Sequence, residues 1–269
     1  MPGSELLTTH PTLDPATSEL YLSRLELNRR NRLVHTEVSD SQAFHRRLLD
    51  AFPRVSDDVS SIARATHGLL YRLEPVNGDS GAVVALVQSV TQPDWSVLPP
   101  GYLTRRDAWD ASWNDETSAV PVKPTADRYR VLEAGDLLRF RLRANPTKKI
   151  HTTAENHTPG KKPTGANGTR KPLVQDELPE WLARKATMHG FHVLEVRDQP
   201  DPVSGKEQVG RKPSESPGHR QMTHAAVLFE GVLRVTDPDL FRTALWQGIG
   251  SGKAYGFGLL SIAPVVRRG

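Results

Sequence analysis

The chain turns apolar at Glu19. Leu20, Leu22, Leu25 and Leu27 fall in a short run ending at Asn28, and this predicts a first strand. Ser39 or Asp40 can cap a helix running to about Phe52, where Pro53 stops it. On that helix Phe44, Leu48, Ala51 and Phe52 form one stripe. Two further strands are expected from Gly68 to Glu74 and from Gly81 to Val90, joined through the turn residues Pro75 to Ser80. Residues 91–126 hold three Trp and little periodicity; a short helix near 104–113 and a strand near 118–123 are expected there.

A similar order then returns. Leu137, Leu138, Phe140 and Leu142 predict a strand with Arg139, Arg141 and Arg143 on its other face. Residues 146–172 are rich in Pro, Gly, Thr and Lys and are expected to form a mobile loop. A helix starts at Asp176, with Leu178, Trp181, Leu182 and Ala186 on one face, and ends at Gly190. Phe191 to Val196 predicts a strand, 198–220 a polar insert, and His224 to Val235 a long strand. Asp237 caps a helix to Gln247, and Phe257 to Ile262 closes the chain as a strand. Strand-helix-strand-strand-helix-strand is the ferredoxin-like order. The expected architecture is therefore α+β: a disordered leader over 1–19, one ferredoxin-like domain over 20–126 and a second over 127–269.

Composition narrows the classes. No stretch approaches the roughly 18 apolar residues of a membrane helix, and the N-terminus carries no secretory pattern, so no membrane role is expected and the cytoplasm is the expected compartment. The absence of Cys removes disulfides, thiolate metal sites and Cys nucleophiles. The net charge is only +4, but between Arg139 and Lys185 eleven basic residues face four acidic ones. Concentrated positive charge is the footprint of a polyanion partner.

Four blocks then resemble the CasE family of type I-E CRISPR repeat-RNA endoribonucleases. They are Tyr21-Leu22-Ser23-Arg24-Leu25, Phe44-His45-Arg46-Arg47-Leu48, Phe140 to Lys148 with its Arg-Ala-Asn-Pro core, and Gly248 to Leu260. The resemblance runs from about residue 20 to the C-terminus. It implies two ferredoxin-like domains and recognition of a CRISPR repeat hairpin. It also implies metal-independent cleavage at the 3′ base of that stem, without a cofactor. The partners it implies are the other Cascade subunits, with target DNA met only through that complex.

The candidate site follows. His45 lies at the edge of the apolar stripe, where it fits either a boundary histidine or a proton-transfer residue; the resemblance matches it to the family's catalytic histidine. Some family members carry a tyrosine three residues earlier. Here that position is Gln42, which can orient groups but cannot carry a proton, so Tyr21 is considered as support. His35, His67, His189, His192 and His224 are taken as structural or solvated. RNA contact is expected at Arg143, Lys148, Lys149, Lys161, Lys162, Arg170 and Lys171, because a flexible basic segment suits the deep groove of an A-form stem. It is also expected at Gly248, Gly250, Gly252 and Lys253, where bare amides can approach phosphate. This block is not a P-loop: Gln247 stands where the first glycine belongs, and Ala254 where Ser or Thr belongs. A metal site is not expected. The competing function is a hairpin-binding subunit with little turnover; a nucleotide-dependent enzyme is disfavoured by the failed motif.

Overall fold

Alternation decides the first sheet. In β1 (Tyr21–Leu27) Ser23, Leu25 and Leu27 are buried while their neighbours are partly exposed. The computed structural model describes residues 13–55, 60–75, 83–104, 122–151, 167–200, 210–211, 221–222 and 226–265. After β1 come α1 (Arg32–Ser39), α2 (Ser41–Leu49), α3 (Ser60–Thr66), β2 (Leu70–Pro75), β3 (Val83–Ser89), β4 (Val122–Pro124) and α4 (Ala126–Arg130). The sheet order is β2-β3-β1-β4, with every pairing antiparallel.

The second half holds β5 (Leu137–Ala144), β6 (Thr147–His151), β7 (Asn167–Pro172), α5 (Leu178–Met188) and β8 (Phe191–Pro200). It continues with β9 (Gly210–Arg211), β10 (Gln221–Met222), β11 (Val227–Val235), α6 (Pro238–Gln247) and β12 (Leu260–Pro264). Its main sheet runs β12-β5-β11-β8, again antiparallel. Numbered within each half, both sheets have the order 2-3-1-4, or its reverse. This is the split βαβ arrangement of a ferredoxin-like fold. The second half carries both crossover helices, α5 and α6. In the first half the helices before β2 are seen, and the segment before β4 falls largely outside the described residues.

Each half has its own core. Leu25, Phe44, Leu48, Tyr71 and Trp95 pack in the first, and Phe140, Trp181, Leu182, Phe229 and Trp246 in the second. The halves are joined by polar side chains that reach across. Arg72 of β2, almost fully buried, donates to the carbonyls of Arg141 and Leu259 and to Ser261. Gln88 of β3 donates to the Leu245 carbonyl at 2.7 Å. Buried donors of this kind are costly to orphan, so they hold one relative orientation.

Several expectations are corrected. The helix expected before Pro53 is present as α2, capped by Asp40 through the amides of Gln42 and Ala43, but it ends at Leu49 rather than near Phe52, and a further helix, α1, which was not expected, ends at Ser39 just before it. α1 buries only Val34, so it leaves little hydrophobic signature. α3 and α4 were likewise unanticipated, being only 7 and 5 residues long. The segment 146–172, expected as a loop, begins and ends in the paired strands β6 and β7, where Lys148 faces Lys171 and Lys149 faces Arg170. These strands hold one large apolar residue, Ile150, so they have no apolar alternation for a periodicity reading to find. The insert at 198–220 likewise begins inside β8 and includes β9. The last strand starts at Leu260 rather than Phe257, because positive-φ Gly256 and Gly258 interrupt it. Residues 13–19, expected as part of a disordered leader, are ordered: Asp14 caps a turn, and Arg130 donates to the carbonyls of Pro15 and Ser18. The helix expected near 104–113 lies almost wholly outside the described residues, as does the start of the strand expected near 118.

Candidate active site and nucleic-acid interface

α2 places His45 by burying Phe44 and Leu48 in the first core. The His45 ring follows them in and is 4% exposed. It stacks on Tyr71 of β2 with ring centroids 6.3 Å apart and planes 21° apart. The Tyr71 hydroxyl lies 3.3 Å from the carbonyls of Ser41 and Ala254, so one phenol touches both α2 and the Gly-rich block. Burial pushes that phenol's pKa strongly upward, leaving it neutral across the working range. One turn before His45, Gln42 Nε2 donates to Tyr255 Oη at 3.4 Å.

The Gly-rich block is a shaped turn. The Ile249 amide donates to the Gly258 carbonyl, and the Gly258 amide to the Arg143 carbonyl, which close its base. Lys253–Tyr255 form one 3-10 turn, and both flanking residues, Gly252 and Gly256, sit at φ 79° and ψ 26°. That left-handed conformation disfavours residues with a Cβ, so the glycines at the two ends let the turn project as a unit. Arg143 fills the space beneath. Its guanidinium donates to the Tyr255 and Gly256 carbonyls at 3.2 and 3.0 Å and lies 4.4 Å from the Phe257 ring centroid. Arg143 is 1% exposed. Its expected RNA contact is therefore corrected: it supports the turn from inside. Gly248 is similarly buried, packed against Leu70 and the Gly258 carbonyl, whereas Gly250 opens toward Trp181.

The far side of the turn forms one wall of a cleft of about 630 Å³. The opposite wall is α5, and Lys148, Trp181, Arg184, Lys185, His189 and Lys253 all line the space. Lys148 pairs with Glu177 at its rim. Desolvation, reinforced by Arg64 and Lys185, lowers the Lys253 ammonium to about 8. Desolvation followed by Lys185 and Lys253 also lowers His189. Like charges gathered in one cleft oppose one another until an anion enters.

The fold thus brings His45, Gln42 and the Gly-rich turn together, with Lys253 and Lys148 on the adjoining cleft. Tyr21 starts β1 opposite Ser89 and Pro124, whereas the Tyr71 and Tyr255 hydroxyls reach the first turn of α2. Lys149 and Arg170 are cross-strand neighbours in the β6–β7 pair, and Lys171 is exposed beside them. Lys161 and Lys162 lie outside the described residues. Sequence reasoning missed Tyr71, Tyr255, Arg184, Lys185 and His189 as site residues, and it had set His189 aside. The cations of α5 carried a signal: Arg184, Lys185 and His189 flank the apolar stripe near the helix end.

Known proteins resemble this chain along most of its length. The chain is 34% identical over 249 residues to the CRISPR-associated endoribonuclease Cse3 of Thermus thermophilus, covering 91% of this chain and all of that one. It is 33% identical over 157 residues to the Cascade subunit CasE of Escherichia coli, covering 55% of this chain and 69% of that one. A solved structure of Thermus thermophilus Cse3 bound to an RNA representing a pre-cleavage complex superimposes with a TM-score of 0.63. It shares 33% identity and covers 91% of this chain and 100% of that one. The family described as CRISPR associated protein matches residues 20–264, and the chain belongs to that family.

Proposed function

We propose that this protein binds the hairpin of a CRISPR repeat RNA and cleaves the precursor at the 3′ base of the stem. It then keeps the product as a subunit of the Cascade complex, in the cytoplasm. One observation carries this reading: a single Gly-rich turn joins the His45 helix to a cationic cleft, in a chain that matches an endoribonuclease over 91% of its length.

The chemistry suits these parts. RNA cleavage by its own 2′-OH needs a base at that hydroxyl, an acid at the departing 5′ oxygen and in-line geometry. His45 is the group able to exchange a proton near neutral pH. Both ring nitrogens of His45 are covered in the free chain, so the proposed cleavage has RNA binding uncover them. The cleft cations and the β6–β7 pair hold phosphates, giving affinity and register without reading bases. Target DNA is met only through the assembled complex.

The test uses the purified chain with its host repeat RNA in EDTA. Cleavage is expected to leave a 2′,3′-cyclic phosphate and a 5′-OH, and a 2′-deoxy nucleotide at the cut site should block it. His45→Ala should lose ~10²–10⁴-fold in rate while still binding the hairpin. A parental rate in that variant removes His45 from the chemistry. The second reading, a hairpin-binding subunit with little turnover, is favoured by Gln42, and a gel shift without cleavage by the parent would select it.

A further inference from the structure

Cleavage by 2′-OH attack asks for two proton-transfer groups, and His45 is one. The second must be titratable and within reach of the same helix face. Gln42, one turn away on α2, carries no exchangeable acid proton. Tyr71 touches α2, but it is fully buried and its hydroxyl is spent between two carbonyls. Lys253 belongs to the cleft wall with Lys185 and His189. Tyr255 remains. It is only partly buried, it sits on the projecting turn, and its hydroxyl accepts the Gln42 amide one turn from His45. Its ring is held by the backbone beneath it, where Arg143 ties down the Tyr255 and Gly256 carbonyls.

We propose that Tyr255 is a catalytic residue of this chain: its phenol protonates the leaving 5′ oxygen, while Gln42 orients that hydroxyl. The assignment rests on the endoribonuclease reading above. The step balances. His45 takes the 2′-OH proton as the 2′ oxygen bonds to phosphorus. The bond from phosphorus to the 5′ oxygen breaks, and that oxygen takes the Tyr255 proton. The products are the 2′,3′-cyclic phosphate and the 5′-OH, and His45 returns its proton to Tyr255 through water. A phenol hydroxyl can donate the proton the leaving oxygen needs, and an imidazole nitrogen can accept the one the 2′-OH loses.

The experiment compares the parent, Tyr255→Phe, His45→Ala and Lys253→Ala on two repeat RNAs in EDTA under single-turnover conditions. One RNA is natural. The other carries sulfur in place of the bridging 5′ oxygen at the cut site, a leaving group that needs no proton. Tyr255→Phe should bind the hairpin normally and melt near the parent. It should cut the natural RNA roughly 10²-fold more slowly, yet cut the sulfur RNA within a few-fold of the parent. His45→Ala should stay slow on both. Lys253→Ala should lose affinity, with no selective recovery on sulfur. A parental rate for Tyr255→Phe on natural RNA overturns the proposal. So does an equal loss on both substrates, which would make Tyr255 a support of the turn. If the parent itself leaves natural RNA intact, the endoribonuclease reading fails first, and the Tyr255 assignment fails with it.

Discussion

The two halves share a strand order but divide the site unequally. The first half offers a packed surface: His45 lies in the helix layer, stacked on Tyr71 and almost covered. The second half offers a cleft in which cations gather and repel, with Lys253 lowered to about 8. Covering fixes the position of a side chain, as the proposed chemistry requires. A cluster of like charges costs stability and favours an anion, as RNA binding requires. One fold used twice therefore supports two jobs, and the difference lies in which side chains fill the crossover helices. The turn at 252–256 belongs to the second half but touches both.

If this division holds, damage to either half should separate binding from chemistry. The largest effect on binding is expected from replacing Lys148, Lys149, Lys161 and Lys162 together with Ala. Hairpin affinity at moderate salt should fall on the order of 10²-fold, and the slope of log affinity against log salt should flatten by about 3, at roughly 0.7–0.9 per phosphate contact. Saturating protein should still cleave. An unchanged slope in a filter-binding titration would take the basic segment out of the interface.

Arg143→Ala comes next, because it breaks the piece that joins the halves. It orphans the Tyr255 and Gly256 carbonyls, at a cost of about 3 kcal/mol. For a chain of this size that should lower Tm by roughly 6–12 °C. Cleavage and binding should fall together, since the turn serves both. Unaltered melting by calorimetry would mean that Arg143 does not support the turn.

The smallest effect sharpens the comparison from the other side. The Lys253 ammonium titrates below its unfolded value, so its charged form opposes folding. That penalty is fully present below about pH 8 and fades as pH rises toward the ordinary lysine value near 10.5. Lys253→Met should therefore raise Tm by a few degrees at pH 7 and weaken RNA binding a few-fold. Parental binding should weaken as pH rises through about 8, and the variant should lack this pH step. Equal pH profiles for the two proteins would exclude Lys253 from the anion site.

Legibility followed the reach of each signal. Strands such as β5 and β11 were visible because long apolar alternation survives without context. α6 was visible because Asp237, Pro238 and Gly248 mark both ends. α1 and the β6–β7 pair were not, because one buries a single side chain and the other has Ile150 as its one large apolar residue. His45 was found through its block, but its partner phenols were not. Tyr255 lies 213 residues from Gln42 and Ala254 lies 183 from Tyr71, and no local pattern links positions so far apart.

The sequence by itself determined the paired strand order, the helix that carries His45, the glycines that shape the turn and the excess of charge between Arg139 and Lys185. These rest on local chemistry: alternation, caps, left-handed glycines and composition. Tertiary structure alone decided that Arg143 faces inward, that α5 supplies the second wall of the cleft and that Tyr255 meets Gln42. Those outcomes depend on how two sheets dock. Burial and long-range hydrogen bonds set that docking, and burial turns a basic residue into a structural donor as readily as exposure makes it a phosphate ligand.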